Sequence, residues 1–110
     1  MAYDEELAAR IRDLLADEAA VAEKKMFGGL AFLVNGNMAV AASGQGGLLV
    51  RVDPAESAEL VETTPAMEME MRGRSMAGWL RLESAHVEND DLVPWVNRGV
   101  AYAHSLPAKS

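Results

Sequence analysis

Three methionines at alternate positions, Met67, Met69 and Met71, have the spacing of a thioether set, and soft sulfur ligands of that kind select Cu(I). The same alternation marks a strand whose Met side fills a core, a task that suits this flexible and polarizable side chain, and no copper site is assigned. Gly44-Gln45-Gly46-Gly47 is glycine-rich enough for a phosphate cradle. Such cradles lead into the free N–H groups of a helix N-terminus, whereas a strand pattern follows here, so a plain loop is expected. Gly73-Arg74-Ser75-Met76-Ala77-Gly78 has the outline of a nucleophile elbow, but its second glycine is one residue late, it joins two strands, and Ser75 has no base partner. His86 lies near Glu83, Glu88, Asp90 and Asp91, a set compatible with a hard metal or with acid/base work. An acidic run before a helix is also what capping and dipole compensation produce, and His104 suits the negative end of a helix. No catalytic set, cofactor or metal site is assigned, and the chain is expected not to be an enzyme.

Charge placement is more informative. Six of the ten basic residues, Lys24, Lys25, Arg51, Arg72, Arg74 and Arg81, fall in strand or turn patterns, while most acids fall on helices. Trp79 and Arg81 share one strand face, and Arg51 points away from Val50 and Val52. These six cations with Trp79 form the candidate surface, which suits an acidic partner segment, an anionic ligand or, less readily, nucleic acid. The alternative is a solvated face whose arginines pair with Glu68 and Glu70.

The elements that must position these residues can be read in order. Asp4 caps a helix with Leu7, Ile11, Leu14 and Leu15 on one stripe. Lys24 to Phe27 begins a sheet, Gly28-Gly29 marks a bulge or bend, and Leu30 to Val34 continues it. Asn35-Gly36 is the strongest local signal, because a two-residue turn with positive φ at both positions favours Asn then Gly, and Met38 to Ala42 returns from it. Leu48 to Val52 is a third strand. Asp53-Pro54-Ala55-Glu56 combines a cap, a first-turn Pro and a Glu placed to bond back, opening a helix to about Glu62. Met67 to Met71 and Trp79 to Glu83 form a second hairpin around a Gly73 to Gly78 turn. Asp90 caps a last helix striped by Leu92, Val96, Val100 and Ala103, and Ala108 to Ser110 should fray. The expected fold class is α+β, a two-layer α-β(3)-α-β(2)-α chain whose meandering antiparallel sheet carries its helices on one face.

The first hairpin is apolar on both sides, with Leu30, Phe32 and Val34 on one and Ala31 and Leu33 on the other. Strands of that kind are usually covered twice, and three short helices cover one side. The other side is expected to meet a protein partner or a second copy.

At 110 residues one domain is expected. Seventeen acidic against ten basic residues give a net charge of -7, which disfavours nucleic acid except at a local patch. The chain has no cysteine, so thiol catalysis and disulfides are excluded and a reducing compartment, the cytoplasm, is expected. The acidic start MAYDEEL does not read as a signal peptide, and no apolar run approaches the ~18 residues of a membrane span.

Lys24-Lys25-Met26-Phe27-Gly28-Gly29, then Phe32, Asn35-Gly36-Asn37-Met38, Val50-Arg51-Val52, Met76, Gly78-Trp79, Trp95 and the run GVAYAHSL from Gly99 to Leu106 together resemble the N-terminal domain of the TfoX/Sxy family. The resemblance spans nearly the whole chain. It implies a two-layer α-β-β-β-α-β-β-α fold similar to secretion chaperones, and an association with regulation of natural competence genes. The domain also occurs alone in small bacterial proteins of unassigned role. Competence regulators of the family carry a second, C-terminal domain, and this chain stops at Ser110, so what that domain supplies is expected to be missing. The resemblance carries no catalytic residues, and the implied role is a regulatory or interaction domain that binds a protein partner or itself.

Overall fold

The structure is a computed structural model that describes residues 4–18, 21–26, 28–44, 46–71 and 73–107. Expectations that fall on Phe27, Gln45, Arg72 and the tail Ala108 to Ser110 lie outside the described residues.

Helix α1 spans Glu5–Leu14, and Asp4 caps it by accepting a hydrogen bond from the Leu7 amide at 3.1 Å. Leu7, Ala8, Ile11 and Leu15 are buried, but Leu14, placed in the same stripe by its spacing, is exposed. Six strands follow where five were expected: β1 Val21–Met26, β2 Gly29–Val34, β3 Asn37–Ala42, β4 Leu48–Arg51, β5 Met67–Met71 and β6 Arg74–Leu82. The extra strand arises at the glycine pair. Gly28 takes φ +74°, so the chain reverses there and β1 runs back along β2 as a hairpin, not a bulged continuation. Gly29 is then pressed against the opposite loop: a Cβ on it would lie 2.9 Å from the Gly44 nitrogen and closer still to the Ala42 carbonyl oxygen.

The Asn35-Gly36 turn has positive φ at both residues, as its type requires, and joins β2 to β3. Helix α2 spans Pro54–Thr63, with the Asp53 carboxylate accepting from the Ala55 amide at 2.9 Å. Glu56 reaches across to Arg98 at 3.4 Å, in place of the reciprocal cap expected of it. The predicted turn from Gly73 to Gly78 is mostly strand, because Gly73 alone, at φ +78°, helps reverse the chain and pairing starts at Arg74. The three surplus residues, Ala77 to Trp79, are absorbed as a bulge opposite the Glu68–Met69 step of β5. Short 3-10 turns at Ser84–His86 and Asn89–Asp91 lead into helix α3, Leu92–Ser105, whose N-terminus has no side-chain cap from the expected aspartate.

The sheet is antiparallel, in the order β1-β2-β3-β4-β6-β5. It is not a simple meander, since β6 inserts beside β4 and sends β5 to the far edge. All three helices lie on one face, α+β in class. Leu7, Ile11 and Leu15 of α1, Leu60 of α2 and Leu92, Val96 and Val100 of α3 share one core with Phe32, Val34, Val40, Val50, Leu80 and Leu82. The opposite face is not the open apolar surface expected from the hairpin pattern. Ala31, Met38, Ala41 and Leu49 there are buried, and Trp79 and Met69 pack over them. The β5–β6 end of the sheet supplies this cover, so the basis for an exposed apolar contact surface is removed. No helix among the described residues is long and apolar enough to cross a membrane.

Candidate functional site

Cross-strand register decides which cations meet. Paired residues of an antiparallel ladder point to the same face, so Lys24, Ala31, Ala41, Leu49, Arg81 and Met67 form one row on the face away from the helices. Arg51 pairs with Trp79 on that side, two residues along from Leu49 and Arg81. Arg51, Trp79 and Arg81 are therefore assembled as the sequence predicted. Lys24 shares their face but sits three strands from Arg51 and four from Trp79 and Arg81, about 14 and 19 Å at the usual spacing of ~4.8 Å. Lys25 pairs with Leu30, a residue of the helix-side core, and so belongs to the opposite face. Both lysines are exposed on the edge strand β1. Arg72 lies outside the described residues, and of Arg74 only its place in β6, opposite Met71, is described.

Arg51 is half-buried, with its guanidinium carbon 5.1 Å from the centroid of the Trp79 ring and 5.6 Å from that of Tyr102 in α3. A planar cation held between two rings is oriented by their quadrupoles and weakly hydrated. Arg81 donates from Nη2 to the Gly46 carbonyl at 2.9 Å, which ties the glycine loop to the same face. Glu68, which the alternative of a solvated face pairs with these arginines, is set on the helix side by its register with Leu80 and accepts there from Ser57 Oγ at 3.3 Å. Tyr102 lies in the GVAYAHSL run, near the end of α3. Nothing in its spacing signals that it reaches Arg51, because the meeting depends on how α3 crosses the sheet.

Two hollows adjoin this region. One of about 630 Å³ lies between the start of α2 and α3, lined among others by Asp53, Glu56, Asn97, Arg98 and Tyr102. Its Arg98 packs 5.6 Å from the Trp95 ring as well as pairing with Glu56. The other, about 280 Å³, places Arg81 beside Gly46, Glu83, Ser84 and His86. No three His, Asp or Glu side chains among the described residues come close enough to hold a metal ion. The acidic run around His86 is spread over 3-10 turns and does not converge. Of the predicted methionine row, Met67 is exposed while Met69 packs on the second cluster.

Glu23 on β1 is displaced from the ordinary carboxylate range. The Arg12 guanidinium donates to its two oxygens at 2.6 and 2.9 Å and holds its carboxyl below the ordinary range, with slight burial opposing and the arginine charge adding. This pair staples α1 to the sheet edge, away from the arginine and tryptophan cluster. Among curated proteins none matches the chain. The family model of the TfoX N-terminal domain matches residues 13–103, taking in the hairpins, the cation face and nearly all of α3, and the chain belongs to that family.

Proposed function

We propose that this chain is a non-enzymatic regulatory domain of the cytoplasm that acts by binding a protein partner, in the transcriptional or competence regulation with which its family is associated. The observation that carries the reading is the grouping of Arg51, Trp79 and Arg81 on the sheet face opposite the helical core, where Tyr102 of α3 reaches Arg51. An acidic partner segment laid across them would meet an oriented guanidinium, a large aromatic surface and a second cation, the residue types that dominate protein interfaces. With the apolar part of that face already buried, recognition here rests on charge and on the tryptophan.

The test is a titration with a Glu-rich peptide, followed by Trp79 fluorescence in a Trp95→Phe background, beside a DNA duplex at several salt concentrations. The reading expects saturable peptide binding that Arg81→Glu weakens and little response to DNA. A second reading, an anion- or nucleic-acid-binding module, draws on the same cations. DNA binding that falls steeply with salt would favour it, since each neutralised phosphate releases a counterion. Failure of both ligands to perturb Trp79 would remove the surface from consideration.

A further inference from the structure

The two edges of the sheet are built differently. On β1, Glu23 is held by Arg12 and the next two residues are exposed lysines, the charged edge that natural sheets use to repel an incoming strand. On β5 the charge is of one sign: the strand has no Lys or Pro, its charged residues are Glu68 and Glu70, and the bulge in its ladder lies on the β6 side. None of the described turn, loop or cap backbone hydrogen bonds involves Met67–Met71, so the ladder to β6 is this strand's backbone pairing. The outward row of amides and carbonyls is therefore a template for one more strand. Its side chains alternate in a fixed sense. Glu68 pairs with Leu80 on the helix side, Glu70 follows it there, and Met67 and Met69 point to the other side, Met67 being the most exposed large apolar residue described.

We propose that the β5 edge docks an extended partner segment in which Lys or Arg alternates with apolar residues, adding a seventh strand. This interface is distinct from the Arg51–Trp79–Arg81 face. In that pairing the basic residues fall beside Glu68 and Glu70 and the apolar ones beside the methionines, with main-chain hydrogen bonds supplying affinity and the alternation supplying selectivity. Glu70 is exposed and pairs with no described cation, so its charge is presented outward. A second copy is the poorer occupant. Antiparallel pairing of β5 with itself about Met69 sets Glu68 opposite a second Glu70 at both ends, and like charges directly opposed are unfavourable. Pairing of β5 with the β1 edge of another copy is head-to-tail, which builds a ring or an open filament in place of a self-complementary contact.

The experiment uses the full chain and a short labelled peptide alternating Lys and Val, with an Asp-Val peptide of the same length and a Lys-Val peptide N-methylated at alternate amides. Fluorescence anisotropy gives affinity, and amide chemical shifts give the position. The Lys-Val peptide is expected to bind, to shift the amides of Met67–Met71, and to lose binding on N-methylation. Glu70→Lys, a surface change, is expected to weaken it by about fivefold and to raise affinity for the Asp-Val peptide, the scale of exchanging an attractive cross-strand ion pair for a repulsive one. The proposal is overturned if the Lys-Val peptide does not bind, if both peptides bind alike and ignore Glu70→Lys, or if the shifts fall away from β5. Concentration-dependent dimerisation that protects the β5 amides would also overturn it, by making a second copy the occupant.

Discussion

Gly99 lies where α3 crosses β3, and replacing it with alanine opposes two effects whose balance the geometry decides. A methyl group gives a helix interior about 1 kcal/mol over glycine. Here that methyl would stand 2.9 Å from Val40 Cγ1 and nearer still to the Ala39 carbonyl oxygen, against a comfortable carbon separation of ~3.5 to 4.0 Å. Backbone cannot yield as a side-chain tip can, so α3 must lift by roughly 1 Å, loosening the fit of Val96, Val100 and Ala103, all buried in the same core. Overpacking of this kind costs about 1–3 kcal/mol, and against a backbone carbonyl the upper part of that range, about 2–3 kcal/mol, applies, so the net expectation for Gly99→Ala is a loss of about 1–2 kcal/mol after the propensity gain. At this chain length that lowers Tm by about 4–10 °C. Ala101→Gly, two residues on and exposed, isolates the propensity term and should cost about 1 kcal/mol. Urea unfolding followed by circular dichroism measures both. If Gly99→Ala is as stable as the parent or more so, the close crossing of α3 over β3 is wrong and the reasoning fails with it.

Ser57 Oγ, 1% exposed, donates to Glu68 and accepts from the Gly78 amide at 3.2 Å, so Ser57→Ala strands a buried donor and should cost about 1–3 kcal/mol in urea unfolding. Trp79→Ala uncovers Ala31, Met38 and Leu49 and removes one of the rings on Arg51; a loss of about 2 kcal/mol and new binding of an apolar dye are expected, and an unchanged dye signal would show that something else covers that cluster. Glu23 is held below its ordinary pKa, so the stability it contributes is present above the unfolded carboxylate value of about 4.3 and is lost as pH falls through the lowered folded value. Both partners are substantially exposed, so the effect stays under about 1 kcal/mol, and Arg12→Ala should abolish that part of the acid limb and return the Glu23 carboxyl to the ordinary range in an NMR titration.

Local chemistry was legible in the sequence where one residue type decides the outcome. Asn35-Gly36 dictated its hairpin, Asp4 and Asp53 their caps, and the stripe from Leu92 to Ala103 its buried face. The period-two pattern likewise placed Arg51, Trp79 and Arg81 on one side. Two glycine runs misled for the same reason, namely that a positive φ permits either a bulge or a full reversal and only the partner strand chooses. At Gly28 the reversal won because β1 has β2 to pair with; at Gly73 it took a single glycine, so the remaining residues up to Gly78 joined β6. Tyr102 over Arg51, and Trp79 and Met69 over the second cluster, depend on how distant elements cross, which spacing along one strand does not encode.

The insertion of β6 beside β4 has a consequence for a growing polypeptide. Until residues through Leu82 have been synthesised, the outer side of Leu48–Arg51 has no neighbour, and Leu48 and Val50 wait with their hydrogen-bonding groups unclaimed while α2 and β5 are made first. A nascent chain stalled in that interval is a sticky half-sheet, exposed to misassociation that the finished molecule escapes.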